Sequence, residues 1–136
     1  FEYNNIEIAP LFDTSSCTTF NSMFNGAGYL KSIPEYDMSK ATDVSNLCNG
    51  CYQLESVPAY NWKSVTGTNW FGSFSGCNAL SDESLNNILK SLSTLTSVSR
   101  SQKRLSRAGL SETQANRCVE LSNWEALESD GWITGY

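Results

Sequence analysis

Apolar and polar positions in the first 80 residues recur at a fixed interval. Pro10, Pro34 and Pro58 lie 24 residues apart. Ile6, Leu30 and Leu54 precede them at one apolar position, and Ala9, Ile33 and Val57 at the next. Phe12, Tyr36 and Tyr60 follow two after each proline, then Asp13, Asp37 and Asn61, and later Thr18, Thr42 and Thr66. Repeats of this length point to units that cannot bury their own apolar side and must share one core by stacking. The apolar piece before each proline predicts a short strand, because proline cannot donate to a ladder and belongs where the strand ends. Thr42-Asp43 followed by Val44, Leu47 and Cys48 at i, i+3, i+4 predicts a single helical turn. Gly26, Gly50 and Gly76 are expected to end it. The third copy carries two extra residues, which the pattern puts around Trp70-Phe71-Gly72-Ser73.

Beyond Leu80 the period changes. Leu85, Ile88, Leu89 and Leu92 predict a helix capped by Ser81 or Asp82. Residues 97–107 are basic and serine-rich and read as a loop. A second helix starts at Ser111, with Gln114 completing a capping box and Leu110 stapling onto Ala115. A third restarts at Ser122 with a capping box to Glu125, and Asp130-Gly131 stops it. Trp132-Ile133 is expected to pack back. The fold expected is therefore α/β, a short solenoid of about three 24–26-residue coils (1–80) with a helical C-terminal cap (81–136) that covers the last coil.

Composition narrows the function. The chain has 136 residues, a formal charge of −5 and no histidine. A net acidic chain is a poor phosphate binder, so nucleic acid is disfavoured as a partner. No run of 18 apolar residues is present, so membrane insertion is not expected. The chain opens on Phe1 without a visible signal peptide, as an excised domain or processed piece would.

Catalysis is not expected. Serine and cysteine hydrolases usually take their base from histidine. A glycosidase needs two facing carboxylates, whereas Asp13 and Asp37 read as turn residues. A carbohydrate-active enzyme remains the remote reading, and it would need a deep acid-lined pocket. No cofactor is implied. Cys48-x-x-Cys51 is the one metal-like motif, but zinc needs two further ligands. Cys51 and Cys77 share one repeat position, which explains them as stacked core thiols, with a bridge between neighbouring coils left open. The five cysteines leave at least one unpaired within the chain.

Three features are candidates for binding. The row Phe12, Tyr36, Tyr60 either packs over the core, the commoner outcome, or presents rings to a sugar or protein. Trp62, Trp70 and Phe71 sit in or beside the irregular third copy, where an insertion would map to a loop. Arg100, Lys103, Arg104 and Arg107 form a basic run that is either a solvated loop or a contact for an anionic partner.

The segments Phe24-Asn25-Gly26-Ala27-Gly28-Tyr29-Leu30-Lys31-Ser32-Ile33-Pro34 and Cys48-Asn49-Gly50-Cys51-Tyr52-Gln53-Leu54-Glu55-Ser56-Val57-Pro58 share the pattern F-x-G-C-x-x-L-x-x-[IV]-P. On this pattern, residues 6–80 resemble BspA-like leucine-rich repeats, and are similar to the short surface-protein repeats of mycoplasma lipoproteins. Ala27 stands where the pattern has cysteine, and Cys48 where it has phenylalanine. The resemblance implies a leucine-rich-repeat-type solenoid without catalytic residues. It implies an adhesion or receptor-binding piece of a phage tail or bacterial surface protein, located on the virion or the cell. The partner would be a host-cell surface protein or glycan. The alternative is a structural spacer that contacts other subunits of a larger fibre.

Overall fold

A computed structural model describes residues 5–136. The α/β solenoid expected from the sequence is not what the chain forms. Among the described residues there is no β-strand and no sheet, and the regular structure is three short helices. These are α1 (Asp82–Ser93), α2 (Glu112–Cys118) and α3 (Trp124–Ser129). Two 3-10 turns, Arg100–Gln102 and Leu105–Ala108, occupy the basic loop. The rest is turns and irregular backbone. Each predicted pre-proline strand shrinks to one paired residue: Ser32 bridges Ile8 on one side and Ser56 on the other. Proline at the third position of so short a piece leaves no length for a ladder. The predicted helical turn at 42–48 is likewise absent, because Asn46 takes a left-handed backbone (φ 54°) that interrupts any helix.

Sequence units nevertheless lie against one another, joined by backbone hydrogen bonds. The amides of Phe20, Ser22, Phe24 and Gly26 donate to the carbonyls of Asp43, Ser45, Leu47 and Asn49 at 2.7–3.0 Å. Those of Val44, Asn46, Cys48 and Gly50 donate to Asn69, Phe71, Ser73 and Ser75 at 2.8–3.1 Å. Gly72 and Phe74 then donate to Arg107 and Ala108 in the second 3-10 turn. Alternate amides point to the next unit, while those between turn back on their own unit, as Met23 does to Phe20 and Asn25 to Ser22. Every amide in such a turn is thereby used without a strand being formed.

The two extra residues of the third unit fall earlier than the pattern suggests. Thr66 still pairs with Thr42, 24 residues back, whereas Val44 pairs with Asn69. The register therefore changes at Gly67-Thr68, where Gly67 has φ 56°. This puts Trp70 in line with Phe20 and Val44, a core position rather than a loop.

The units and the helices share one apolar cluster that runs from Ala9 to Trp132. α1 buries Leu85, Ile88, Leu89 and Leu92 against it, and Ser81 caps the helix through the Ser84 amide. α2 has its capping box between Ser111 and Gln114, and the Gln114 amide also donates to Cys77 O at 2.6 Å. α3 differs from expectation: its N-cap is Asn123, and no side chain caps it. Asn86 of α1 takes over that region, accepting from the Asn123 amide at 2.9 Å and donating to Ser122 Oγ at 3.0 Å. Trp132 folds back onto Trp70, ring centroids 5.5 Å apart, while Ile133 stays half exposed.

α1 also finishes the backbone of the third unit with side chains. Ser84 accepts from the Val57 amide at 3.0 Å and donates to Glu55 O at 2.8 Å. Asn87 donates to Val57 O, Ser91 accepts from the Tyr60 amide, and Thr94 accepts from the Trp62 amide, at 2.8–2.9 Å. Truncating one of these groups orphans a buried amide. Ser91→Ala is expected to cost about 1–3 kcal/mol, read as a lowered urea midpoint. An unchanged midpoint would show that the Tyr60 amide finds another partner.

Candidate functional site

The residue types expected to bind a partner mostly lie inside. Tyr36 and Tyr60 are buried, and their hydroxyls donate to Pro10 O and Pro34 O, each at 2.6 Å. Each phenol thus ties its unit to the proline of the one before. Phe12 stacks on Tyr36 at 6.4 Å and is partly exposed. Trp62 is fully buried, with its indole nitrogen against the Met38 sulfur (3.3 Å) and its ring on Phe74 (6.2 Å). Trp70 is fully buried too, donating to Gly67 O at 3.1 Å. Tyr36, Tyr60 and the two tryptophans therefore lie in the core and present no ring face, and Phe12 is the member of the row that stays exposed. Phe71 is partly buried, and Arg107 lies over it, with the guanidinium carbon 5.3 Å from the ring centroid.

The basic run is dispersed rather than gathered. Lys103 is pinned to Asp130, by its carboxylate (2.8 Å) and carbonyl (2.7 Å). Arg104 turns back to Ser101 O at 3.4 Å, and Arg107 lies on Phe71. Arg100 and Lys103 line a shallow depression of about 270 Å³ with Ser129, Asp130 and Gly131. A second groove of about 320 Å³ runs over Ala59, Tyr60 and Asn61, between Glu35 and α1.

All five cysteines are free thiols. Cys51 Sγ donates to Phe24 O at 3.1 Å, and Cys77 Sγ to Cys48 O at 3.0 Å. The shared position therefore serves as a repeated thiol-to-carbonyl tie, not as a bridge between coils. Burial holds the Cys48 thiol well above its ordinary value. Among the described residues no group of three histidine, cysteine or acidic side chains is placed to hold a metal.

The exposed aromatic surface lies elsewhere, on the turns that follow Phe24, Cys48 and Phe74. Tyr52 is 66% exposed and Tyr29 54%. The three turns share one design: the amides of Gly28, Tyr52 and Asn78 donate to the carbonyls of Gly26, Gly50 and Gly76 at 2.8–3.0 Å. The glycines have φ of 77–79°, a left-handed backbone that residues with a side chain rarely adopt. They also lie close together, since a Cβ on Gly76 would meet Gly50 Cα at 3.5 Å, and one on Gly50 would meet Gly26 Cα at 3.7 Å. The Tyr52 side chain lies along this row, within 3.7 Å of a Cβ placed on Gly28, 3.9 Å of one on Gly50 and 3.6 Å of one on Gly76. The ring thus runs beside the glycine row while the side chain stays largely open to solvent. Sequence reasoning passed over both tyrosines, because they occupy variable positions of the repeat. Their position beside glycines of a tight turn was the available signal.

Residues 2–112 match the model of the family described as "Mycoplasma protein of unknown function, DUF285". The chain belongs to this DUF285 family. The match takes in the repeated units, α1 and both 3-10 turns, and stops at the first residue of α2. It bears out the likeness to mycoplasma repeats and is compatible with a surface-protein module. The BspA-like leucine-rich-repeat, phage-tail and virion expectations find no support in it. Comparisons with curated proteins and with solved structures found no match.

The phenols give a pH signature. Burial pushes Tyr36 up to about 12, and Tyr60 is raised further by the same cause. An unfolded tyrosine titrates near 10 (about). The native state therefore keeps protons that the unfolded state releases, so stability is complete below about pH 10 and falls as pH rises through the folded values. Tyr36→Phe is expected to lower stability at neutral pH by about 0.5–1.5 kcal/mol, through the lost bond to Pro10 O. It should also flatten the alkaline decline, compared by denaturant midpoints at neutral and strongly alkaline pH. Parallel declines for both proteins would contradict the buried-phenol account.

Proposed function

We propose that this chain is a non-catalytic binding module of a bacterial surface protein, holding an adhesive or receptor-binding face. The observation that carries this reading is the pair of exposed tyrosines on turns whose backbone the glycines fix. Large aromatic side chains left open on a preformed surface are a common mark of recognition. Membership in the DUF285 family supports the surface setting. Among the described residues no helix is long and apolar enough to cross a membrane. The absence of histidine supports the non-catalytic part, since the commonest general base is missing. The partner on this reading is a host-cell surface protein or glycan.

A structural spacer is the second reading, favoured by one observation. The carbonyls of Asp43, Ser45, Leu47 and Asn49 each accept an amide from the preceding unit, and their counterparts Thr19, Asn21, Met23 and Asn25 accept none from the described residues. Such an edge suits contact with other polypeptide of a larger assembly.

The two readings separate on cell binding. The fluorescently labelled domain is expected to bind host cells saturably, and a Tyr29→Ala/Tyr52→Ala variant is expected to lose that binding while keeping its near-UV circular dichroism. No saturable binding by the folded domain would sink the adhesive reading in favour of the spacer. Binding that the variant retains would move the face away from these turns.

A further inference from the structure

Hydrogen-bonding groups on the tyrosine-bearing turns have been left unspent. Several side-chain amides of the described residues donate within the protein: Asn21 to Ser45, Asn69 to Thr66, Asn86 to Ser122, Asn87 to Val57, Gln114 to Cys77. The amides of Asn25, Asn49, Gln53 and Asn78 make no side-chain bond to the described residues, and neither do the hydroxyls of Tyr29 and Tyr52. These six groups stand on three consecutive turns that approach one another at backbone contact distance.

Charge is absent from the same turns. Segments 25–29 (NGAGY), 49–53 (NGCYQ) and 75–79 (SGCNA) contain no acidic or basic residue, in a chain of which 17% is charged. An anionic or cationic ligand would find no counter-ion within these segments; Lys31 and Glu55 stand two residues beyond them, and Lys31 is already paired with Glu7 at 3.6 Å. The surface therefore offers aromatic rings, neutral donors and acceptors, and a floor from which side chains have been removed.

We propose that the Tyr29–Tyr52 ridge binds an uncharged glycan. Its pyranose C–H face would lie on the exposed side of the Tyr52 ring, and its hydroxyls would be taken up by the neighbouring amides and by the phenol of Tyr29. The chemistry is complementary: a sugar carries an apolar C–H face and a rim of hydroxyls, as the ridge carries a ring and a rim of amides. The glycine row serves the ring, not the sugar. It lets Tyr52 lie along the backbone instead of standing free, which lowers the conformational entropy lost when a ligand seats. Stacking needs no charge, so affinity is set by ring contact and hydrogen bonds and not by salt. This inference rests on the adhesive reading above and names the ligand of the same face.

The test uses the whole chain against immobilised neutral polysaccharides (glucan, mannan, galactan) beside sulfated and sialylated ones, with Tyr52→Ala, Tyr52→Phe and wild type run together. The expected result is binding to at least one neutral glycan that is unchanged between about 0.05 and about 0.5 M salt. Tyr52→Ala should weaken it by roughly tenfold or more, while Tyr52→Phe, which keeps the ring, stays within a few-fold of wild type. Tyr52 is 66% exposed, so its variants should retain the wild-type thermal midpoint, which is measured in parallel. Three results overturn the proposal: no neutral glycan bound, binding confined to charged glycans and lost at high salt, or equal binding by Tyr52→Ala. Tyrosine-dependent binding to cells that survives periodate oxidation of their sugars would remove the glycan and leave the adhesive face standing. Loss of all cell binding by the wild type, with neutral glycan still bound, would do the reverse.

Discussion

Unpaired backbone is the constraint from which this structure follows. A chain that runs in turns must satisfy its amides and carbonyls without the help of long strands or helices, because a buried polar group left unpaired costs about as much as a lost hydrogen bond. Here each unit divides its amides between itself and its neighbour, and the division repeats from Phe20 to Gly50 with little change in length. Apolar side chains then have only one place to go. Phe24, Leu30, Leu47, Leu54 and Phe74 meet in the space that paired units enclose. Side chains reinforce the same seam: Tyr36 and Tyr60 reach back to a proline carbonyl, and Cys51 and Cys77 to carbonyls one unit back. Phe12 and Ala27, at the corresponding positions of the first unit, lack the hydroxyl and the thiol that would make these ties.

A stack of this kind has an end problem, and the chain solves it twice. The second 3-10 turn offers the carbonyls of Arg107 and Ala108 to Gly72 and Phe74, in the place where another unit would stand. α1 deals with the other side of the same unit through Ser84, Asn87, Ser91 and Thr94, at spacings of three and four residues. These positions form a polar stripe beside the apolar one, so one helix satisfies backbone with one stripe and closes the core with the other. Hydroxyls and amides suit the task because they are short and can both donate and accept.

The sequence made the period, the shared core and α1 and α2 legible, because each rests on side-chain spacing. Leu85, Ile88, Leu89 and Leu92 mark α1 by their period, and Ser111 with Gln114 marks the start of α2 by its chemistry. What failed was the conversion of apolar period into regular secondary structure. A β-branched residue before a proline says that the segment is extended and buried. It does not say that it is long enough to pair in a ladder, and at Ile33 and Val57 it is not. Tyr36 and Tyr60 take the commoner of the two outcomes expected for their row, packing over the core. Rings repeated at one position of a stacked unit are equivalent by construction, and equivalence puts Tyr36 and Tyr60 on the seam. Trp70 was misplaced by two residues: once the insertion is set at Gly67-Thr68, it falls in line with Phe20 and Val44 and must be buried.

Where recognition resides follows from the same equivalence. Positions that every unit must fill in the same way are spent on holding the stack, and they are poor places for a ligand. Positions at which units differ carry no such duty. The turn position held by Gly28, Tyr52 and Asn78 is one, and that held by Tyr29, Gln53 and Ala79 is another. Both lie on turns fixed by the invariant glycine just before them, so variation there changes the surface without disturbing the backbone. A Cβ at Gly28 would meet the Tyr52 ring at 3.7 Å, an ordinary van der Waals contact, so side chains on these neighbouring turns are close enough to meet. A face built in this way can alter its specificity by exchanging one or two side chains on the turns, while the hydrogen-bonded seam beneath stays as it is.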